Sequence, residues 1–145
     1  MIGINTAVSQ DAQGIGFAIP ISVARPIALL ALAGKPIERP WIGVYYKLVD
    51  AQVARDLGLA VDHGVLVDRP ASGAPAVFAG SPADRAGLLE GDIVVAVDGQ
   101  TVDADHDLST RILPHVPGDT VTLSVVRDGR TLEVAVTLGT LPATP

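Results

Sequence analysis

Four residues that could bind a metal stand close together in the sequence: Asp103, Asp105, His106 and Asp107. Carboxylate and imidazole groups are common metal ligands. A calcium-binding loop, however, also needs further spaced oxygen donors and a glycine at its sharp turn, which residues 103–107 lack. Aspartate is also a preferred residue at the N-terminal cap of a helix. We therefore interpret the cluster as a solvated turn and a helix cap, and we expect no metal and no cofactor.

Nucleophilic catalysis has little support in the sequence. The chain has no cysteine, and a catalytic serine needs a base and an oxyanion hole around it. None of the serines stands in a Gly-x-Ser-x-Gly elbow; they are Ser9, Ser22, Ser72, Ser81, Ser109 and Ser124. Gly14-Ile15-Gly16 lacks the third glycine of a dinucleotide-binding loop and precedes a predicted strand. We assign no catalytic residue.

Another group of residues has the chemistry to hold a peptide. Trp41-Ile42-Gly43-Val44 has a glycine inside a strand-like pattern, and Tyr45 and Tyr46 follow it. The glycine lets the backbone turn closely, so that several N–H groups can face one anion. The strand that follows can pair with an extended peptide, and Leu108 and Ile112 can form a pocket for its last side chain. The alternative is that these apolar residues belong only to the core.

The first part of the chain is predicted to contain two strands and a helix. Residues 2–8 and 15–19 are rich in Ile, Val and Phe and flank a polar turn, which predicts a pair of strands. Ser22 as N-cap and Gly34 as the stop predict a helix that is apolar on nearly all sides. Residues 35–40 contain two prolines and three charges, which is typical of a linker.

The remainder of the chain is predicted to be rich in β-structure. Strands are expected over residues 41–46, 64–67 and 93–97. A helix capped by Asp50 and stopped by Gly58 is expected over residues 50–58, and another, capped by Ser81, over residues 81–87. A third is expected from a cap at Asp105 or Asp107 to Pro114, with Leu108, Ile112 and Val116 on one face. Residues 120–127 and 131–138 alternate in hydrophobicity around Asp128-Gly129, which predicts a hairpin.

Composition limits the functions that this chain can have. The 145 residues are 48% hydrophobic and 18% charged, with a net charge of -6, which suits an ordinary globular domain. We expect no nucleic-acid partner, because such binding needs clustered Lys and Arg or an aromatic platform. No apolar run approaches the ~18–20 residues that cross a bilayer, so we expect no membrane span.

Several short motifs follow one another along residues 38–139. They are Ile42-Gly43-Val44, the strand at 64–67, Ser-Pro-Ala-x-x-Ala-Gly-Leu (81–88), Gly-Asp-Ile-Val (91–94), Asp-Gly-Gln (98–100), Pro-Gly-Asp-Thr-Val (117–121) and Arg-Asp-Gly-Arg (127–130). In this order they resemble a bacterial PDZ domain of the kind carried by HtrA-like serine proteases. The resemblance implies an α+β, mainly β fold. This would be a PDZ-like, partly open β-barrel or sandwich with two to three short helices, preceded by a two-strand remnant and a helix.

The resemblance also implies a division of the chain. Residues 1–21 resemble the closing strands of a trypsin-like protease domain, 22–37 a helix and linker, 38–140 the PDZ domain, and 141–145 a tail. In that family the catalytic serine lies in a Gly-Asn-Ser-Gly-Gly-Pro motif upstream of these strands, and the histidine and aspartate lie further upstream. We therefore expect no catalytic triad in this chain and a serine endopeptidase as its parent. Such proteases act in protein quality control, in the periplasm or elsewhere in the cell envelope, or outside the cell.

By the same match, Ile42, Gly43 and Val44 fall on the carboxylate-binding loop and the start of the peptide-pairing strand. Trp41 leads into this loop, Tyr45 and Tyr46 continue the strand, and Leu108 and Ile112 fall on the helix that closes the groove. The implied partners are extended peptides or the C-termini of unfolded proteins. Arg39 is either a cation near the carboxylate or a solvated linker residue. Two features depart from the family pattern: the long segment 69–80, where Phe78 either approaches a ligand or covers the sheet, and Pro114 in the groove helix.

Two other functions remain open at this point. The apolar strands and helix of residues 1–34 would expose a patch if their partners in a protease domain were absent, which favours a structural or homo-oligomerising role. The other alternative is that the chain is itself an active hydrolase.

Overall fold

The computed structural model describes residues 3–8, 16–21, 25, 28, 31–32 and 38–142. The chain divides into two compact units, Met1–Glu38 and Arg39–Pro145. The domain boundaries expected from the sequence remain a prediction.

The first unit contains the predicted pair of strands. β1 (Gly3–Val8) and β2 (Gly16–Pro20) are antiparallel, with a register shift between Asn5 and Ala7. Helical backbone follows at the described positions, which are Ile21, Arg25, Ala28, Ala31 and Leu32. The helix therefore includes Ile21, one residue before its expected cap, whereas Ser22 and Gly34 themselves lie outside the described residues.

The second unit consists mainly of short antiparallel strands. Its described strands are β3 (Pro40–Trp41), β4 (Tyr46–Leu48), β5 (Val65–Val67), β6 (Ile93–Val97), β7 (Gln100–Thr101), β8 (Thr120–Arg127), β9 (Arg130–Thr137) and β10 (Gly139–Thr140). Its described helices are α1 (Ala51–Leu57), α2 (Pro82–Arg85) and α3 (Leu108–Ile112). This content confirms the predicted α+β, mainly β class with open sheets.

The strands form two sheets in this unit. One sheet has the order β4–β5–β6–β8–β9, with β7 paired to β6, and the other pairs β3 with β10. The predicted hairpin β8–β9 turns at Asp128 (φ 51°) and Gly129 (φ 73°), which is the backbone geometry of a type I′ turn. Because β4 stands at the end of the order, one of its edges has no neighbouring strand within the described part of the chain.

Each of the three described helices of the second unit begins at a polar cap that the sequence predicted. Asp50 caps α1, which ends at Gly58 in the left-handed conformation with φ 64°. Ser81 caps α2, and Asp107, one of the two expected residues, caps α3. Helix α3 ends before Pro114, which cannot continue it. No helix in the described residues is both long and apolar enough to cross a membrane.

The core lies between the large sheet and α3. Leu108 and Ile112 on α3 pack with buried valines and leucines that alternate along the strands: Val65, Val67, Val94, Val97, Val121, Leu123, Val125 and Val136. A smaller cluster beside α1 contains Val49, Ala54, Leu66, Ile93 and Val126. Burying one such large side chain contributes about 1.5–3 kcal/mol, so these contacts fix α3 against the sheet.

The predicted strand over residues 41–46 is wrong in its extent. β3 ends at Trp41 and β4 begins at Tyr46, with a single bridge between Val44 and Val77 in the interval. The interruption occurs at Gly43, whose φ of +87° takes the backbone out of the extended region. Val116 lies beyond the end of α3 and not on its face.

Candidate functional site

An apolar cleft lies between residues 41–46 and helix α3. Its volume is about 350 Å³. It is lined by Arg39, Pro40, Trp41, Ile42, Gly43, Val44, Tyr46, Leu108, Ser109, Thr110, Ile112, Leu113 and Leu141. Arg39 is the one charged residue in this lining.

The structure brings together most of the residues that the sequence assigned to peptide binding. Those lining the cleft are Trp41, Ile42, Gly43, Val44, Tyr46, Leu108 and Ile112. Three of these, Ile42, Leu108 and Ile112, are also buried in the core. A place in the core and a place in the wall of the cleft therefore do not exclude each other. Tyr45 does not line the cleft, because side chains alternate along a strand and its ring packs on Phe78 at 5.0 Å.

The carbonyl groups of Ile42 and Gly43 are held by the segment around α2. The N–H of Ala83 donates to the Ile42 carbonyl oxygen at 2.8 Å. The Gly43 carbonyl oxygen accepts from the N–H of Phe78 at 3.0 Å and from the Oγ of Ser81 at 3.3 Å. Both peptide units are thereby fixed in orientation.

These contacts determine where the N–H groups of the same peptide units point. In a trans peptide unit the N–H is directed opposite to the C=O. The N–H groups of Gly43 and Val44 therefore point away from α2, and within the described residues no hydrogen bond engages them. Two adjacent, oriented N–H donors beside an apolar cleft are suited to an anion.

Residues 44–48, which are β4 and the two residues before it, are paired on one edge only within the described part of the chain. Tyr45 donates its N–H to Ala76 O at 2.7 Å and accepts at its carbonyl from the N–H of Asp68 at 3.2 Å. Backbone groups of successive residues in a strand point to opposite edges. Val44 and Tyr46 therefore direct their N–H and C=O groups to the other edge, beside the cleft, where an added strand can pair with them.

A hydrogen bond joins β4 to the start of α3. The Tyr46 hydroxyl donates to Asp107 Oδ2 at 3.1 Å, and Asp107 Oδ1 accepts from the N–H of Thr110 at 2.8 Å. Burial raises the pKa of Tyr46, and the Asp107 carboxylate adds to this rise. Burial opposes ionisation of Asp107, but hydrogen bonds from Thr110, Ser109 and Tyr46 outweigh it and lower the pKa of this carboxyl group.

The long segment 69–80 contacts residues 42–44, the candidate carboxylate-binding loop. Val77 bridges Val44, and the Phe78 ring contacts Trp41 edge-on at 5.5 Å as well as Tyr45. Phe78 does not line the cleft. Its described ring contacts are with Trp41 and Tyr45, and its approach to a ligand stays a prediction.

Two contributions to the site escaped sequence reasoning. Leu141 was placed in the tail, yet its N–H donates to Arg39 O at 3.0 Å and the residue lines the cleft. The sequence identified Ser81 as a helix cap but gave no signal for its contact with Gly43, which lies 38 positions away.

The fold agrees with comparisons to known proteins. The chain belongs to the PDZ domain family, whose model matches residues 40–138. Along its whole length it is similar to proteins named "Probable periplasmic serine endoprotease DegP-like". The one from Rhizobium meliloti (strain 1021) is 36% identical over 146 residues, covering 99% of this chain and 28% of the relative. The one from Brucella suis biovar 1 (strain 1330) is 36% identical over 145 residues, covering 98% and 27%.

A solved structure shows the same likeness. "HtrA-type protease AlgW with decapeptide" superposes with a TM-score of 0.68 and 31% identity, over 98% of this chain and 42% of that one. These matches confirm the resemblance to the PDZ region of an HtrA-like protease. The chain spans less than a third of the length of the curated relatives.

Proposed function

We propose that this chain is a peptide-binding module that captures an extended segment with an apolar C-terminal residue by adding it as a strand to β4. The pairing pattern of β4 carries the proposal, because Val44 and Tyr46 present their backbone groups at an edge that opens on an apolar cleft. An extended peptide satisfies these groups through main-chain hydrogen bonds, and the cleft selects its side chain.

The end of the peptide is recognised by charge and by shape. The N–H groups of Gly43 and Val44 donate to the terminal carboxylate, and hydrogen bonds to an ionised group are stronger than neutral ones. Arg39 adds the positive charge in the cleft lining. The last side chain lies among Val44, Leu113 and other apolar lining atoms, where burial of a Val or Leu is worth about 1.5–3 kcal/mol.

In the full-length protein the module would deliver substrates to a serine endopeptidase domain or regulate it. Support comes from the relatives, which are named periplasmic serine endoproteases, and from the HtrA-type protease solved with a decapeptide. The proposed location is accordingly the periplasm or the wider cell envelope. The proposed division is residues 1–21 as closing strands of the protease domain, 22–37 as helix and linker, 38–140 as the PDZ domain and 141–145 as tail.

A fluorescence titration tests the binding function. Trp41 is the only tryptophan and lines the cleft, so its emission reports occupancy. Short peptides ending in Val, Leu, Ala or Asp are titrated, each with a free carboxylate and as the C-terminal amide. We expect saturable binding that is tightest for an apolar residue with a free carboxylate. No saturable change with any peptide, or equal affinity across the panel, contradicts the proposal.

The proposal assigns this chain no proteolytic activity of its own. The family's Gly-Asn-Ser-Gly-Gly-Pro motif does not occur in the 145 residues, and no serine stands in a nucleophile elbow. Casein and a fluorogenic peptide serve as substrates, with a serine protease as positive control. We expect no turnover above the buffer, whereas turnover that co-purifies with the chain would make it a hydrolase.

A further inference from the structure

We propose that Ser81 is a positioning residue for carboxylate recognition, an inference that rests on the function proposed above. Ser81 is 2% exposed and does not line the cleft, so it cannot contact a ligand itself. Its Oγ donates to Gly43 O at 3.3 Å and accepts from the N–H of Asp84 at 3.1 Å. One hydroxyl therefore joins the start of α2 to the peptide unit that carries the N–H of Val44.

Gly43 and the Ser81 side chain are in tight van der Waals contact in addition to their hydrogen bond. A Cβ at Gly43 would overlap the Cβ of Ser81 and lie 2.7 Å from its Oγ. Gly43 therefore sits directly against the Ser81 side chain, and nothing bulkier fits between them. Any shift of Ser81 is transmitted to the peptide unit between Gly43 and Val44.

The hydroxyl affects the carboxylate contact in two ways. It limits rotation of the Gly43–Val44 peptide unit, so that the N–H of Val44 stays directed to the cleft. Its hydrogen bond to the carbonyl also polarises the same unit, because linked hydrogen bonds reinforce one another. Without the hydroxyl, the Gly43 carbonyl keeps only the bond from the Phe78 N–H. The apolar walls of the cleft do not depend on this bond, so its loss acts on the terminal group of the peptide, and most strongly when that group is an ionised carboxylate.

The test compares a peptide that ends in a free carboxylate with the same peptide as its C-terminal amide. The peptide is the tightest binder ending in Val, Leu or Ala, and Trp41 fluorescence is measured on the full 145-residue chain. In Ser81→Ala we expect affinity for the carboxylate form to fall roughly three- to tenfold, the effect of one lost neutral hydrogen bond. We expect a smaller loss of affinity for the amide form, because its neutral carbonyl makes a weaker hydrogen bond than the carboxylate does.

Asp50→Ala is the matched control. Asp50 caps α1 by accepting from the N–H groups of Gln52 and Val53 at 2.8 Å, and neither α1 nor its cap lines the cleft. Its removal costs helix stability comparable to the loss of the Ser81 cap and should leave the preference for carboxylate over amide unchanged. If Ser81→Ala does not fold, Ser81→Cys replaces it, because a thiol is only a weak donor and should also reduce the preference.

The outcomes separate this inference from the proposed function. Equal losses for carboxylate and amide peptides would show that Ser81 acts only through fold stability, and this would overturn the inference. An unchanged preference in Ser81→Ala would overturn it too. Both results leave the proposed function standing, whereas a wild-type chain that binds neither peptide overturns the function and the inference together.

Discussion

At the scale of single residues, Gly43 meets two requirements at once. Its φ of +87° is readily available only to glycine, and the space for a Cβ is already filled by Ser81, with a ring atom of Trp41 at 3.0 Å. The other glycine useful for comparison is Gly129 in the β8–β9 turn, which also has positive φ, but a Cβ added there would have open space for 4 Å around it. A side chain at Gly129 therefore causes backbone strain alone, whereas a side chain at Gly43 causes both backbone strain and a steric clash.

Gly43→Ala should weaken peptide binding by roughly tenfold or more, equivalent to about 1.4 kcal/mol, because the carboxylate loop must move away from Ser81. Gly129→Ala should leave binding unchanged, although both variants bear strain of about 1–3 kcal/mol from positive φ. Trp41 fluorescence titration and chemical denaturation measure the two effects. Equal loss of binding in both variants would indicate general destabilisation and contradict the assigned role of Gly43.

At the scale of elements, an ion pair with a buried carboxylate links the residue before β6 to the end of β8. Asp92 is 1% exposed and binds Arg127 through two contacts of 2.7 Å. Its second oxygen also accepts from the N–H of Leu89, and Arg127 reaches the carbonyl of Gly87. The pair therefore fixes the turn between α2 and β6 as well as the two strands.

Asp92→Ala should lower the free energy of unfolding by about 1.5–3 kcal/mol, because the N–H of Leu89 and the partly exposed Arg127 lose their hydrogen bonds to a charged group. Asp68→Ala is the matched control, since Asp68 pairs with Lys47 at 2.6 Å on the surface and such pairs contribute about 0–1 kcal/mol. Urea denaturation followed by circular dichroism gives both values. A similar decrease in unfolding free energy in the two variants would contradict the larger stabilisation expected from the Asp92–Arg127 pair.

The cap of α3 should make stability depend on acidic pH. Because the pKa of Asp107 is lowered by folding, its contribution is fully present above the unfolded value of about 3.9 and is lost as pH falls through the folded pKa. Asp107→Asn should therefore be less stable than the wild type at neutral pH, and the difference should shrink below roughly pH 4. Measuring the unfolding free energies of the wild type and the variant from neutral pH into strong acid tests this prediction. A difference in stability that stays constant over that pH range would contradict it.

At the scale of the whole molecule, sequence reasoning succeeded where structure is decided locally. The caps Asp50, Ser81 and Asp107 and the Asp128-Gly129 turn depend on neighbouring residues, so their patterns were readable. The order of motifs then supplied the PDZ resemblance. What could not be read were contacts between distant segments: the Ser81–Gly43 hydrogen bond, the position of Leu141 and the outward direction of Tyr45. These depend on how the sheet curves and on its register, which no short pattern encodes.

The proposed function assigns peptide binding to the second unit alone, and a truncation can test this assignment. Deleting residues 1–36 should leave affinity within about twofold of the full chain, as expected when a domain carries its own core. Light scattering of both chains tests the structural alternative, and we expect the shortened chain to be a monomer. A shortened chain that is folded but no longer binds would contradict this assignment.

The central claim, strand addition at the open edge of β4, is tested most directly by amide hydrogen exchange with and without a peptide that ends in an apolar residue. The N–H groups of Val44 and Tyr46 face the cleft edge, whereas those of Tyr45 and Val49 are already bonded to Ala76 O and Gly64 O. We expect the peptide to slow exchange at Val44 and Tyr46 and to leave Tyr45 and Val49 unchanged. Uniform slowing along residues 44–49, or protection confined to residues outside this edge, would contradict the account.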